Sequence, residues 1–420
     1  MNYSAVVQKL RVQIHEFSGK LSTEFSRPKQ RFIEQMLYGI CARQEVKLSE
    51  IARSLEEDVG LIRTEKRLSR NLNSEGMDQR VIDAVVKLGA RRVHRDTLLV
   101  VDLSDITKTY AKKMEHLARV RDGSSGELRD GYPTCNVIAC EEGKRRIVPL
   151  YQALYSAAAP GYESENQEVL RAVDSVRRWT NGRGIWVMDR AGDRRTLLRP
   201  FLDREGMRFI VRLVGNRDVV FRGRYSRVED VARSCPLPYA DVIVKEDGDG
   251  EVSHYIEYGF RKVKLPGREE QLYLVVVKGF GEKPMMLLTN VTVRRKRSVL
   301  WFIVGSYLTR WRIEDAIRFV KQAYHLEDIR VMRYVRLKNL VALVLAASYF
   351  TAAYVGDRLK LAVLARRVVK AAKRFFGVPV FRYYALADGI AAVLAHATRG
   401  PLCAPRPPNR ASPQLELFDL

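Results

Sequence analysis

Through residues 1–95 apolar positions recur at intervals of three and four, the period of helices that bury one face, with Pro28 and Gly60 breaking the run. Within it, KLSEIARSLEEDVGLIRTEKRLSRNL reads as two helices and a turn, the first opened by Ser49 as N-cap. The second carries Arg63, Lys66, Arg67 and Arg70. That basic side fits either a helix-turn-helix that reads DNA or an ordinary helical hairpin with a solvated face. The period then changes. TLLVVD, residues 97–102, is an unbroken apolar run closed by an acid, as in a buried strand. Weaker strands follow at 132–140 and 145–153. A helix over 163–179, opening at Glu163 or Ser164, then leads to a strand at 184–189, a helix at 193–204 and a strand at 208–214. Three early strands followed by alternating helix and strand predict an α/β fold with a mixed sheet flanked by helices.

From about 216 the runs shorten and become β-rich: DVIVKE, SHYIEYGF, QLYLVVVKGF and MMLLTNV, parted by Gly, Asp and Pro. They predict an inserted antiparallel β-domain. Helix returns at about 298–325 and again over 336–398, the latter with a basic stretch at Arg366, Arg367, Lys370, Lys373 and Arg374. The expected plan is a helical, DNA-binding region at 1–95, a core in two parts at 96–215 and 297–335, the β-insert at 216–296, a helical region at 336–400 and a Pro-rich, disordered tail at 401–420. The apolar run from Leu340 to Val355 is shorter than the roughly 20 residues a membrane span needs and carries Ser348, Tyr349, Thr351 and Tyr354. A buried helix is expected, and no membrane.

Composition sharpens this only in part. The chain has 420 residues, 46% of them hydrophobic, which is enough for two or three domains with real cores. Its net charge is +24, with the cations spread along the whole length. A polyanion partner is favoured, nucleic acid first. The cysteines, Cys41, Cys135, Cys140, Cys235 and Cys403, form no Cys-x-x-Cys pair and have no histidine at zinc-like spacing. Reduced thiols in a cytoplasmic protein are the simple reading, and the N-terminus lacks a signal-peptide plan.

The candidate chemistry lies in SYLTRWRIEDAIRFVKQAY. At about 100° per residue, Tyr307, Arg310, Glu314 and Lys321 fall within about 60° of one helix face. A carboxylate between two cations and a phenol is a poor stripe for a core and a good one for holding a metal while gripping phosphate. Asp102 and Asp189 each close an apolar run, TLLVVD and GIWVMD. Two acids at adjacent strand ends and a third on a helix beside them could hold two hard cations roughly 3.5–4 Å apart, the arrangement that activates a nucleophile and stabilises a leaving oxygen in phosphodiester cleavage. Oxygen ligands select Mg²⁺ or Mn²⁺. Taken alone, Glu314 could equally be half of a helix pair with Arg318, Asp193 could cap the next helix, and Trp301 fits a core position.

These residues resemble the DDE transposases of bacterial insertion sequences, in particular the insertion-sequence-four family, marked by Tyr-x2-Arg-x3-Glu-x6-Lys around the third acid. The chain matches at Tyr307, Arg310, Glu314 and Lys321 with every spacing kept, and Trp311 follows the Arg as it often does in that family. DLSDITK and DRAGD surround the first and second acids. The resemblance covers roughly residues 97–335. It implies an RNase H-like mixed five-stranded sheet interrupted by the β-insert, with Asp102, Asp189 and Glu314 binding two Mg²⁺ or Mn²⁺ ions. It also implies that Tyr307, Arg310 and Lys321 contact phosphates at the transposon end; Trp311 and Arg190 are further candidates for DNA contact. The activity implied is cleavage of double-stranded DNA at inverted-repeat ends and transfer of the 3′ hydroxyls into target DNA by a dimer, in the bacterial cytoplasm at the nucleoid. Some relatives flip a base onto a Trp of the insert; here no Trp occurs between 187 and 300.

The chain ends in QLELFDL. Gln414, Leu415, Leu417 and Phe418 match Gln-Leu-x-Leu-Phe, the pentapeptide with which bacterial proteins dock on the DNA sliding clamp. Two apolar anchors entering a groove, with Gln fixing the register, suit a peptide on a Pro-rich linker. A short apolar tail packed on its own domain is the alternative.

Overall fold

The computed structural model describes residues 3–355, apart from 109, 112, 124, 248 and 249, together with 383–397 and 400–402. The basic stretch at 366–374 and the terminal peptide at 414–418 lie outside the described residues. Five helices open the chain: α1 (Tyr3–Leu21), α2 (Arg27–Arg43), α3 (Leu48–Ser54), α4 (Leu61–Leu72) and α5 (Met77–Ala90). Helix α3 does not begin at Ser49. Lys47 is the extended N-cap and Leu48 the first helical residue; Leu48 is already buried in the core, which draws the helix start one turn position forward. On α4, Arg67 turns inward to Glu57, 2.8 Å away, while Ile62, Arg63, Lys66 and Arg70 stay exposed.

Next come β1 (Leu98–Thr107), β2 (Ala118–Arg121), β3 (Leu128–Cys140), β4 (Ile147–Leu154), α6 (Glu165–Thr180), β5 (Ile185–Met188), α7 (Arg195–Asp203) and β6 (Phe209–Arg212). Ser164 caps α6, its side chain accepting the Gln167 N–H. β4, β3 and β1 pair antiparallel, and β1, β5 and β6 pair parallel. This is the mixed sheet that the alternation predicted.

The following segment holds a hairpin, β7 (Asp218–Phe221) and β8 (Arg224–Arg227), then α8 (Val228–Arg233), β9 (Tyr239–Asp247), β10 (Gly250–Val263), β11 (Leu272–Lys278) and β12 (Met285–Thr289). It differs from the expected separate insert on a five-stranded sheet. β12 pairs antiparallel with β6, so one ten-stranded sheet runs in the order β2-β3-β1-β5-β6-β12-β11-β10-β9, with β4 on β3. The physical reason is the edge of β6, whose open backbone groups need a partner. The fully buried strand MMLLT supplies one.

Helices α9 (Arg297–Thr309), α10 (Arg312–Ala323), α11 (Tyr334–Tyr349) and α12 (Tyr383–Leu394) complete the described chain, with a π-helical turn at Phe350–Tyr354 extending α11. The stretch Tyr334–Tyr354 is long and apolar enough to cross a membrane by length and composition, yet 94% of its apolar window is buried inside the fold. It packs against α5, β4, α2 and α4. At its start Asn339, fully buried, donates to the carbonyls of Leu72 at 2.6 Å and Ser74 at 2.8 Å and accepts the Asp78 N–H at 2.7 Å. The N-terminal helices therefore share one core with α11.

Candidate active site

The parallel pairing of β1 with β5 sets the first two acids. Val100 registers with Val187 as the last residues paired between these strands. Asp102 and Asp189 each stand two residues further on, at the same level, where the strands separate. Gly192 lets the 3-10 turn Arg190–Gly192 fold tightly behind Asp189, since a Cβ there would lie 2.6 Å from the Met188 Cβ. The Asp189 carboxylate accepts the Ala191 N–H at 2.8 Å, so Asp189 itself caps the turn. Asp193, expected to cap α7, instead accepts the Val214 N–H at 2.8 Å and pairs with Arg217.

The third acid comes from α10, which packs on β1 and β3. The single helix expected over 298–325 is two helices. Between them the backbone bonds run from each N–H to the carbonyl three residues back: Arg310 to Tyr307, Trp311 to Leu308, Ile313 to Arg310 and Glu314 to Trp311. Such 3-10 winding turns faster than an α-helix, which brings Arg310 round over Tyr307. Tyr307 is buried at 3% exposure, and it lines the groove beside Glu314. Arg310 lies between the acids, Nη1 3.6 Å from Asp102 Oδ2 and Nη2 3.2 Å from Glu314 Oε1. Its guanidinium also sits 5.9 Å from the Tyr307 ring and 5.2 Å from that of Trp311. Glu314 thus pairs with Arg310, four residues before it, and no ion pair joins it to Arg318. Trp311 is 48% exposed, and Arg190 is exposed beside Asp189. Trp301 packs on Tyr258, ring centroids 6.0 Å apart. Lys321 pairs with two acids the sequence had not singled out in this role, Asp105 and Glu327.

Burial, reinforced by Asp189 and Glu314 and opposed by Arg310 and the Leu103 N–H, pushes the Asp102 carboxyl up to about 7. Burial works against the Arg310 charge, but Tyr307, Asp102, Glu314 and Asp189 outweigh it and raise its pKa. Three carboxylates around one guanidinium leave excess negative charge in a partly buried place. Hard oxygen donors with such an excess fit Mg²⁺ or Mn²⁺. Among the described residues, the one His/Asp/Glu set with ligand atoms all within 4.8 Å is elsewhere, at Glu45, His325 and Asp328; there Lys47 already bridges Glu45 and Asp328 at 3.1 and 2.5 Å. Asp102, Asp189 and Glu314 do not form such a set.

Beside Glu314 opens a groove of about 1050 Å³. Lys144, Arg145, Arg212 and Arg318 line it together with Phe280 and Trp311. The sequence signal for it is the loop EEGKRR at 141–146, which precedes β4 and brings Lys144 and Arg145 to the rim.

No family model matches the chain, nor does any curated protein sequence. Among solved structures it is similar to a piggyBac transposase synaptic complex with hairpin DNA, determined by cryo-EM, at 12% identity and a TM-score of 0.41, over 93% of this chain and 80% of that one. An overlap of that size assigns no activity.

Proposed function

We propose that this protein is a DDE transposase: it cuts double-stranded DNA at the ends of a mobile element and joins the freed 3′ hydroxyls to target DNA. The observation that carries the reading is the level placement of Asp102 and Asp189 past a parallel strand pair, with Glu314 brought to them across Arg310. Asp102, Asp189 and Glu314 would hold two Mg²⁺ or Mn²⁺ ions. Bound there, the metal supplies charge neutralisation at the phosphoryl group and activation of the attacking oxygen. Arg310 offers a planar fork suited to a phosphate, Lys321 a point charge, Trp311 an exposed ring and Arg190 a cation beside the second acid. The groove with Lys144, Arg145 and Arg212 continues the basic lining away from Glu314. No protein nucleophile is required. Two DNA ends cut together imply at least a dimer on DNA, and the terminal peptide, with Gln414, Leu415, Leu417 and Phe418, is proposed to bind the sliding clamp.

One observation favours a second reading. Arg310 satisfies two of the three acids internally, as a catalytically silent DNA-binding descendant of a transposase could arrange. Strand-transfer assays on oligonucleotides carrying the element's own ends, in Mg²⁺ or Mn²⁺, separate the two. Release and joining of 3′ ends, lost in Asp102→Asn, Asp189→Asn and Glu314→Gln, supports the transposase. Cleavage without joining indicates a nuclease, and binding without cleavage the silent protein.

A further inference from the structure

Lys321 does not stand free in solvent. Its Nζ lies 3.4 Å from Asp105 Oδ2 and 3.2 Å from Glu327 Oε1. The two acids are physically unlike. The Asp105 side chain is 8% exposed and rides on β1, three residues beyond Asp102. Its Oδ1 accepts the Gly123 N–H at 3.2 Å, whereas its Oδ2 is buried and makes no hydrogen bond. The ammonium of Lys321 is the charge that compensates it, and a buried carboxylate robbed of its counter-ion is costly. Asp105 is therefore a fixed partner.

Glu327 is held by its main chain instead. It sits on the 3-10 turn Leu326–Asp328, and Lys108, 6% exposed, donates to the carbonyls of Glu327 and, at 2.8 Å, Ile329. The Glu327 side chain is 43% exposed. Its carboxylate reaches water, and an exposed ion pair holds weakly. It presents to Lys321 what a phosphodiester presents: a negative charge on paired oxygens. Lys321 lies seven residues after Glu314 on α10, nearly two full turns, so both project from one side of that helix.

We infer that Asp105 is a positioning residue that fixes the Lys321 ammonium, and that Glu327 occupies in the DNA-free protein the place a DNA phosphate takes. The inference rests on the reading of this site as a DNA-processing centre. Arrival of the phosphate displaces Glu327 while Asp105 keeps its hold. The two acids then act in opposite directions: one organises the phosphate contact, the other competes with it.

The test is a binding cycle on the full chain with a random-sequence DNA duplex in EDTA, titrated at several salt concentrations. Glu327→Gln is expected to tighten binding roughly threefold or more, and Asp105→Asn to weaken it by a similar factor. In a Lys321→Gln background, which itself lowers the salt slope by about one, both effects should vanish. A purely structural role for Asp105 would persist in that background. If Asp105→Asn melts early, Glu327→Gln, a surface change, carries the test alone. Glu327→Gln binding no tighter than wild type, or tightening equally without Lys321, overturns the inference while leaving DNA processing intact. Wild-type protein that ignores DNA removes both.

Discussion

Arg310 Nη1 lies 3.6 Å from Asp102 Oδ2, inside the set of carboxylates, where a divalent ion would also settle. On the proposed reading, a guanidinium and a metal would compete for this place. Arg310→Gln, with the three acids untouched, is expected to raise Mn²⁺ affinity in the absence of DNA by roughly tenfold, about 1.4 kcal/mol, a modest fraction of the Coulomb term between close charges. DNA cleavage should fall in the same variant, because the phosphate fork is gone. Isothermal titration with Mn²⁺ checks the first half; unchanged affinity would mean that Arg310 does not hold the site.

The same crowding gives a pH dependence. Burial first, then Asp189, lifts Asp102 to about 7, from an ordinary value of about 3.9. Between those values the folded protein keeps a proton that the unfolded chain has lost. Stability of the metal-free protein should therefore decline as pH rises through that window and level off above it. Metal must expel the same proton, so Mn²⁺ affinity is expected to climb from about pH 5 to about pH 7 and then flatten. Asp102→Asn should remove the slope from both measurements.

Asn339 offers a stability test far from the acids. Its side chain satisfies two carbonyls, that of Leu72 buried and that of Ser74 part-buried, and one part-buried N–H between α4 and α5. Asn339→Ala leaves those groups without partners, at about 1–3 kcal/mol each when buried, and denaturant unfolding should show a loss of about 3 kcal/mol or more. A loss under 1 kcal/mol would mean water replaces the amide.

The exposed face of α4 decides between the two readings left open for the N-terminal helices. If it meets DNA, Arg63, Lys66 and Arg70 changed together to Ala should weaken binding and reduce the salt slope by about three. An unaltered slope assigns the face to solvent.

Removing residues 414–418 is expected to abolish capture of the full chain by bacterial sliding clamp in a pulldown, with DNA binding unaffected. Capture that survives the deletion would exclude the peptide as the docking element.

Much of the site was legible because buried parallel strands read as unbroken apolar runs: TLLVV and GIWVM announce both strands, and the acids that end them fall at one level. The helix break at Arg310 was not legible. No Pro or Gly marks it; the Thr309 hydroxyl bonds the Gly305 carbonyl at 2.7 Å and accepts the Gly143 N–H at 3.2 Å, while Arg310 is drawn to Asp102, and these are tertiary causes. β2 escaped because four residues, ARVR, carry too short a pattern. The union of β12 with β6 escaped because an apolar run does not name its partner strand. Asp105 could not be singled out, since its tie to Lys321 spans more than two hundred residues.

The shared core of α2, α4, α5 and α11 has a consequence for biosynthesis. About 240 residues separate the end of α5 from the start of α11, and at roughly 5–20 residues per second a ribosome needs on the order of ten to fifty seconds to make them. For that interval the apolar surface that α11 covers on the leading helices lacks that partner. Chaperone capture of nascent chains stalled before residue 334, released once α11 has emerged, is the expected outcome.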